Sequence, residues 1–327
     1  MKKSELYYAK IMLFGEYSVI FNSMALTIPY THYSAELSFI SNDKYTDYNF
    51  ATESNQQLKI YSNFLKSLSE KNDESLQFDF SLLEEDIKKG MYLESSIPQS
   101  YGLGSSGALV AAIYNRYAIK RITPAQSMNA EKILKLRNIF SEMESYFHGT
   151  SSGLDPLNCY IHYPLLISGK NHIETVGIPG NGENGKGGIF LINTHKPSKT
   201  GPYVEMFLEK CEQPLYKNMI TKEYIPLNNK CIREIIKGDQ EEFFHSLGEL
   251  VQLQYQHFHE MIPKGYGDIW KIGTDSKQFH LKLCGSGGGG FILGFTQDYT
   301  ATRDLLKYHD IEIIPVYLNS QFNKHNN

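Results

Sequence analysis

Between Tyr92 and Gly107 the sequence passes from strand to loop to helix within sixteen positions, with glycines placed at the junction. Tyr92 to Ile97 has the character of a strand, Pro98 to Gly104 that of a loop, and an alanine-bearing helix begins at Ser105. The segment Pro98-Gln99-Ser100-Tyr101-Gly102-Leu103-Gly104-Ser105-Ser106-Gly107 therefore ends where backbone N–H groups have no partner inside the helix and can face an anion, phosphate foremost. Gly102 and Gly104 let the backbone approach a ligand, and Ser105 and Ser106 add hydroxyls for phosphate or for magnesium. A dinucleotide fingerprint would need an acidic residue about twenty positions on, where Pro124-Ala125 stands. A P-loop would need a lysine between the glycines and the serines, and none is there. Taken alone, the loop is also accounted for by a tight turn and an N-cap.

A chain of 327 residues can bury a large core and has room for two domains. Lys plus Arg number 32 against 36 Asp plus Glu, a balance that offers no basic field for nucleic acid. No apolar run reaches the roughly eighteen residues of a membrane span, and Met1 to Lys10 does not read as a signal peptide or anchor. Cys159, Cys211, Cys231 and Cys284 are widely separated, with no Cys-x-x-Cys pair, as expected for a reducing, cytoplasmic setting.

Strand-like segments are expected over Tyr7 to Phe14, Tyr17 to Phe21 and Ala25 to Ile40, with a turn at Gly15-Glu16. Ser41 to Ser54 is polar and reads as a surface excursion before a helix at Gln56 to Leu68, and Asp79 to Lys89 is mixed. Apolar residues recur at helical spacing from Glu131 to Phe147, with Gly149 as the stop. Gly177 to Gly188 reads as a linker, which places one domain over 1–186 and a second over 187–327. In the second, helices near Tyr203 to Glu212, Cys231 to Lys237, Gln240 to Met261 and Gly267 to Asp275 accompany strands near Ile189 to Asn193, Phe279 to Leu283, Gly290 to Phe295 and Ile311 to Val316. The pattern is α+β.

Two acids stand out after the glycine loop. Glu144 sits one turn before a helix end, where the macrodipole disfavours an anion and a cation would compensate. Asp155 follows in a Ser-Ser-Gly-Leu-Asp-Pro segment that reads as a loop. Each acid taken singly is equally a solvated surface carboxylate, and His148 near the same helix end needs no catalytic role.

Three segments together resemble the signature motifs of the galactokinase, homoserine kinase, mevalonate kinase and phosphomevalonate kinase (GHMP) superfamily. They are Ala9 to Ile20, the loop Pro98 to Gly107, and Lys282-Leu283-Cys284-Gly285-Ser286-Gly287-Gly288-Gly289-Gly290-Phe291. Glu144 to Asp155 is similar to the mevalonate-kinase-like form of the pattern. The resemblance implies a two-domain fold, with an N-terminal domain like ribosomal protein S5 domain 2 and a ferredoxin-like C-terminal domain. It implies ATP and Mg²⁺ as cofactors, a small-molecule substrate, most simply mevalonate converted to 5-phosphomevalonate for isoprenoid synthesis, and a homodimer compatible with the family. By motif match, Asp155 would be the base and Lys10 its electrostatic partner, Ser106 and Glu144 would hold the metal, and Gly102, Leu103, Gly104, Ser105, Ser106 and Gly107 would bind ATP. Glu16, Thr200, Gly285, Gly287 and Gly288 would lie toward the substrate, Thr200 by likeness of Asn193 to Thr200 to an active-site stretch of mevalonate kinases. Tyr17, Ser151, Gly107 and Cys284 depart from the residues common there (His, Pro, Ala and Thr), which leaves phosphomevalonate or another small alcohol as alternative substrates. A non-catalytic nucleotide sensor would be expected to lack the base, the lysine or the metal carboxylate, and all three positions are filled.

Overall fold

Apolar side chains fill most of Tyr7–Phe14, and this strand (β1) pairs antiparallel with the 15-residue strand Ala25–Phe39 (β2). The computed structural model describes residues 5–41, 46–71, 76–124, 128–169, 171–178 and 186–318. The free edge of β2 is shared by two further strands: Met91–Ser95 (β3) pairs with its end and Leu165–Gly169 (β4) with its beginning, while His172–Thr175 (β5) extends the sheet beyond β4. Every pairing is antiparallel.

Five helices accompany this sheet: Tyr48–Lys71 (α1), Phe80–Lys88 (α2), Ser105–Tyr117 (α3), Ala130–His148 (α4) and Leu154–Ile161 (α5). The buried faces of α1, α2 and α4 follow the 3.6-residue period, whereas α5 is buried on nearly every side. On α4 the stripe is Ile133, Leu136, Ile139, Phe140, Met143 and then Glu144, a carboxylate at a core position. Asn129 caps the start of α4 by accepting from the Lys132 amide at 2.9 Å, and Gly149, at φ 71°, ends it.

The second sheet comprises Gly188–Asn193 (β6), Phe279–Leu283 (β7), Phe291–Thr296 (β8) and Ile313–Leu318 (β9), ordered β7-β8-β6-β9 and antiparallel throughout. Thr200–Cys211 (α6), Pro214–Met219 (α7), Ile225–Lys237 (α8), Gln240–His257 (α9) and Gly267–Ser276 (α10) lie between β6 and β7, and Tyr299–Tyr308 (α11) lies between β8 and β9. Helical crossovers before and after the β7–β8 hairpin, in this strand order, are the ferredoxin-like arrangement. The sheets share an interior: Phe14, at the end of β1, packs against Phe243 of α9 and Phe295 of β8.

Several local expectations are corrected. Tyr17–Phe21 is not a strand. Ser18–Phe21 is one 3₁₀ turn between Tyr17 and Asn22, both at positive φ, because so short an apolar run between two reversals has no strand partner. The supposed surface excursion is helical from Tyr48, and Phe80–Lys88 is a helix because Asp79 caps it by accepting from the Leu82 amide. Asp155 is not in a loop. It occupies the first turn of α5, where Pro156 is tolerated because the first helical N–H groups have no partner to lose. Residues 42–45 of the polar excursion and 179–185 of the glycine-rich stretch lie outside the described residues.

Candidate active site

The glycine loop is locked to β1 by a backbone hydrogen bond from the Lys10 amide to the Leu103 carbonyl, 2.9 Å long. Gly104 takes φ 79° at the N-cap of α3, so the amides of Ser105, Ser106 and Gly107 open the helix without intrahelical partners. A side chain at Gly104 would press on the Lys10 stem, its Cβ 3.0 Å from Cγ. One at Gly107 would stand 2.8 Å from the Asp155 carbonyl carbon and the Pro156 nitrogen, so glycine there is what lets α3 approach α5.

That approach delivers Asp155 to Lys10. Its carboxylate lies 2.9 Å from Lys10 Nζ, and the pair is open on one side, with Lys10 8% and Asp155 32% exposed. Burial works against the Lys10 ammonium, but the charge and hydrogen bond of Asp155 outweigh it and raise the amine above the ordinary lysine value. The N-terminus of α5 also favours an anion at Asp155.

Glu144 stands across the start of α3. Ser106 Oγ donates to its Oε1 at 3.0 Å, and Ser151 Oγ donates to its Oε2. Burial, and secondarily the charge of Asp155, push this carboxyl up to about 7. Ser106 Oγ is also 3.2 Å from His148 Nε2. A carboxylate that burial has made costly to ionise, beside a serine hydroxyl and a second acid, is a hard-oxygen donor set that a divalent cation suits. Among the described residues no three His, Cys, Asp or Glu side chains gather as a metal cluster. Magnesium is commonly held by one or two carboxylates with substrate phosphates completing its shell, and the donors here fit that use.

The turn between β7 and β8 reaches the same place. Ser198 links the two glycine segments, its amide donating to the Ser100 carbonyl at 3.1 Å and its Oγ to the Gly287 carbonyl at 2.7 Å. Thr200 opens α6, and Ser286 Oγ donates to its Oγ1 at 3.4 Å. A Cβ at Gly287 would fall 2.2 Å from the Met261 carbonyl oxygen and one at Gly288 would enter the Tyr203 ring, so both glycines answer to packing. Gly285 has open space beside it.

Lys10, Asp155, Ser106, Glu144 and the start of α3 thus converge, with Thr200 and Gly285 on the segments joined to them. Glu16, expected toward the substrate, does not join them: it is buried against Lys282. The sequence reading gave Lys282 no role, although a Lys inside the short buried strand Phe-His-Leu-Lys-Leu was the available signal. It also missed Ser151, whose bond to Glu144 depends on a reversal after α4 that no local pattern announces.

Residues 63–161 match the family model described as the GHMP kinases N terminal domain. The chain is thus similar to GHMP kinases, through that domain and through relatives that align over most of its length. The mevalonate kinase of Pyrococcus abyssi is 26% identical to this chain over 302 residues, 86% of this chain and 85% of the relative. Among solved structures, L. major mevalonate kinase in complex with R-mevalonate superposes with a TM-score of 0.63 at 16% identity, covering 97% of this chain and 96% of that one. Lactococcus lactis galactokinase complexed with galactose superposes with a TM-score of 0.64 at 15% identity, covering 97% and 94%. Near-equal superposition on a mevalonate kinase and a galactokinase identifies the two-domain GHMP fold and leaves the substrate to other observations. No helix among the described residues is long and apolar enough to cross a membrane.

Proposed function

We propose that this protein is an ATP-dependent kinase that phosphorylates the primary hydroxyl of mevalonate to give 5-phosphomevalonate. The observation that carries the chemistry is the Lys10–Asp155 pair, 2.9 Å apart and open on one side, beside a helix N-terminus that can take phosphate. Mevalonate is favoured over other alcohols by the sequence relatives, among them the P. abyssi mevalonate kinase, which aligns over most of both chains.

In this reading the amides at the start of α3 and the hydroxyls of Ser105 and Ser106 bind the ATP phosphates. Asp155 accepts the proton of the substrate hydroxyl as that oxygen attacks the γ-phosphorus. The bond from the γ-phosphorus to its bridging oxygen breaks, and ADP leaves. Lys10 holds the Asp155 carboxylate in place through their ion pair and offsets charge developing on the attacking oxygen. Glu144 and Ser106 would hold Mg²⁺, which when bound neutralises polyphosphate charge. Thr200 and Gly285 would lie on the substrate side of the site. We assign the halves to 1–186 and 187–327, and the setting to the cytoplasm, in keeping with four cysteines that are all free and buried.

The test is ADP release by the purified protein with ATP and Mg²⁺, offered mevalonate, phosphomevalonate, galactose and homoserine in parallel. Release driven by mevalonate alone is expected. Release driven by another of the four reassigns the substrate, and release by none rejects the kinase reading.

A further inference from the structure

Behind the Lys10–Asp155 pair lies a second lysine–carboxylate pair. Glu16 Oε1 accepts from Lys282 Nζ at 2.6 Å, and neither side chain is more than 1% exposed. Lys282 also donates to the Leu283 carbonyl at 3.0 Å and sits 5.3 Å from the centroid of Phe14. Glu16 Oε2 is buried without a hydrogen-bond partner. Burial raises the Glu16 carboxyl, and the charges of Lys282 and, more weakly, Lys10 oppose that rise, so the two ion pairs sense one another.

The turn that presents Glu16 is costly to form. Gly15 lies at φ 112°, and a Cβ there would be 2.4 Å from that of Ala25. Tyr17 follows at φ 61°, a conformation bulky residues avoid. Its ring packs on Phe207 and Phe258, and its hydroxyl donates to the Ser286 carbonyl at 2.5 Å. Two neighbouring side chains at the end of β1 thereby grip both ends of one feature: Lys282 at the end of β7, and Ser286 within the glycine turn that follows. Strain of this kind persists where the surroundings enforce it and is concentrated at functional sites.

We propose that Glu16, Tyr17 and Lys282 are positioning residues for phosphoryl transfer, holding the glycine turn after β7 at a set distance from Lys10 so that both sides of the site engage one substrate. This rests on the kinase reading above. Glu16 then acts through Lys282 and the turn, and does not touch the substrate. Phosphoryl transfer depends on placement, so relaxing the grip lowers turnover while leaving ground-state binding nearly intact.

The test compares wild type, Tyr17→Phe and the double variant Glu16→Leu/Lys282→Met in mevalonate-driven ADP release, with thermal melts in parallel. The double variant replaces a buried pair by apolar groups, which folds commonly tolerate. It is expected to melt cooperatively and to lose about tenfold or more in kcat, with KM for ATP and for mevalonate within about threefold of wild type. Tyr17→Phe keeps the ring and is expected to show a smaller loss of the same kind. A folded double variant with wild-type kcat overturns the proposal, as does a loss confined to KM. If the double variant does not fold, Tyr17→Phe decides: reduced kcat supports the grip and wild-type kcat rejects it. Wild-type protein that releases no ADP with any of the four substrates defeats the kinase reading first, an outcome visible before any variant is compared; if another of the four drives release, the same comparison is made with that substrate.

Discussion

The two lysine–carboxylate pairs near β1 have the same chemistry and opposite surroundings. Lys10 and Asp155 meet at the start of α5 with the carboxylate one-third exposed, whereas Glu16 and Lys282 meet in a sealed interior between the two sheets. An ion pair with an open face can exchange a proton and meet a ligand. A sealed pair can do neither, and water cannot replace either partner. The difference comes from where the chain places each acid: Asp155 on a helix terminus facing outward, Glu16 on a turn folded back against the second sheet.

Breaking the open pair should have the largest effect. Asp155→Asn removes the proposed base and is expected to lower kcat by about 10²–10⁴-fold with little change in the melting transition. A variant that retains wild-type turnover in the ADP-release assay would remove Asp155 from that role.

Breaking the sealed pair should show in stability. Lys282→Met strands Glu16 in the interior and is expected to cost about 3–5 kcal/mol in urea unfolding, most of it recovered when Glu16→Leu is added. Equal stability of the single and double variants would mean that the pair is not coupled.

Gly107→Ala distinguishes the pairs sterically. The added methyl would meet the backbone between Asp155 and Pro156, so about 1–3 kcal/mol of destabilisation is expected, with a fall in kcat as Asp155 moves from Lys10. The sealed pair should not respond, and a fully neutral Gly107→Ala would contradict the close α3–α5 approach.

Glu144 gives the smallest and most pH-dependent effect. Its folded-state pKa, about 7, lies above the ordinary carboxylate value, so the fold prefers the protonated form. The associated stability is fully present below the unfolded pKa near 4.5 and is lost as pH rises to about 7. In metal-free protein, Glu144→Gln should therefore unfold later than wild type at pH 8, by on the order of 1–2 kcal/mol, and match it near pH 4. The same variant should lose Mg²⁺ affinity, whereas wild type should bind Mg²⁺ more weakly as pH falls below about 7. A pH-independent difference between the two proteins would contradict the raised carboxyl.

Much of this was legible in the sequence because it is local. The strands β1, β2, β3, β6 and β7, the helix α4 with its Gly149 stop, and the handover from loop to α3 each follow from periodicity and turn chemistry within a few residues. Lys10, Ser106, Glu144 and Asp155 could be singled out by motif resemblance, and the fold brings them together. Other features depend on residues far apart in the chain. That Leu154–Ile161 is a helix depends on packing against α3 across Gly107, and its Leu-Asp-Pro start conceals it from local rules. Glu16 was expected toward the substrate because its partner is 266 residues away, and Lys282 was passed over for the same reason. Sequence alone determined which residues could do the chemistry, since side-chain type and local period are properties of short segments. Tertiary structure decided which acid is open and which is sealed, because burial and charge pairing exist only once distant segments share an interior.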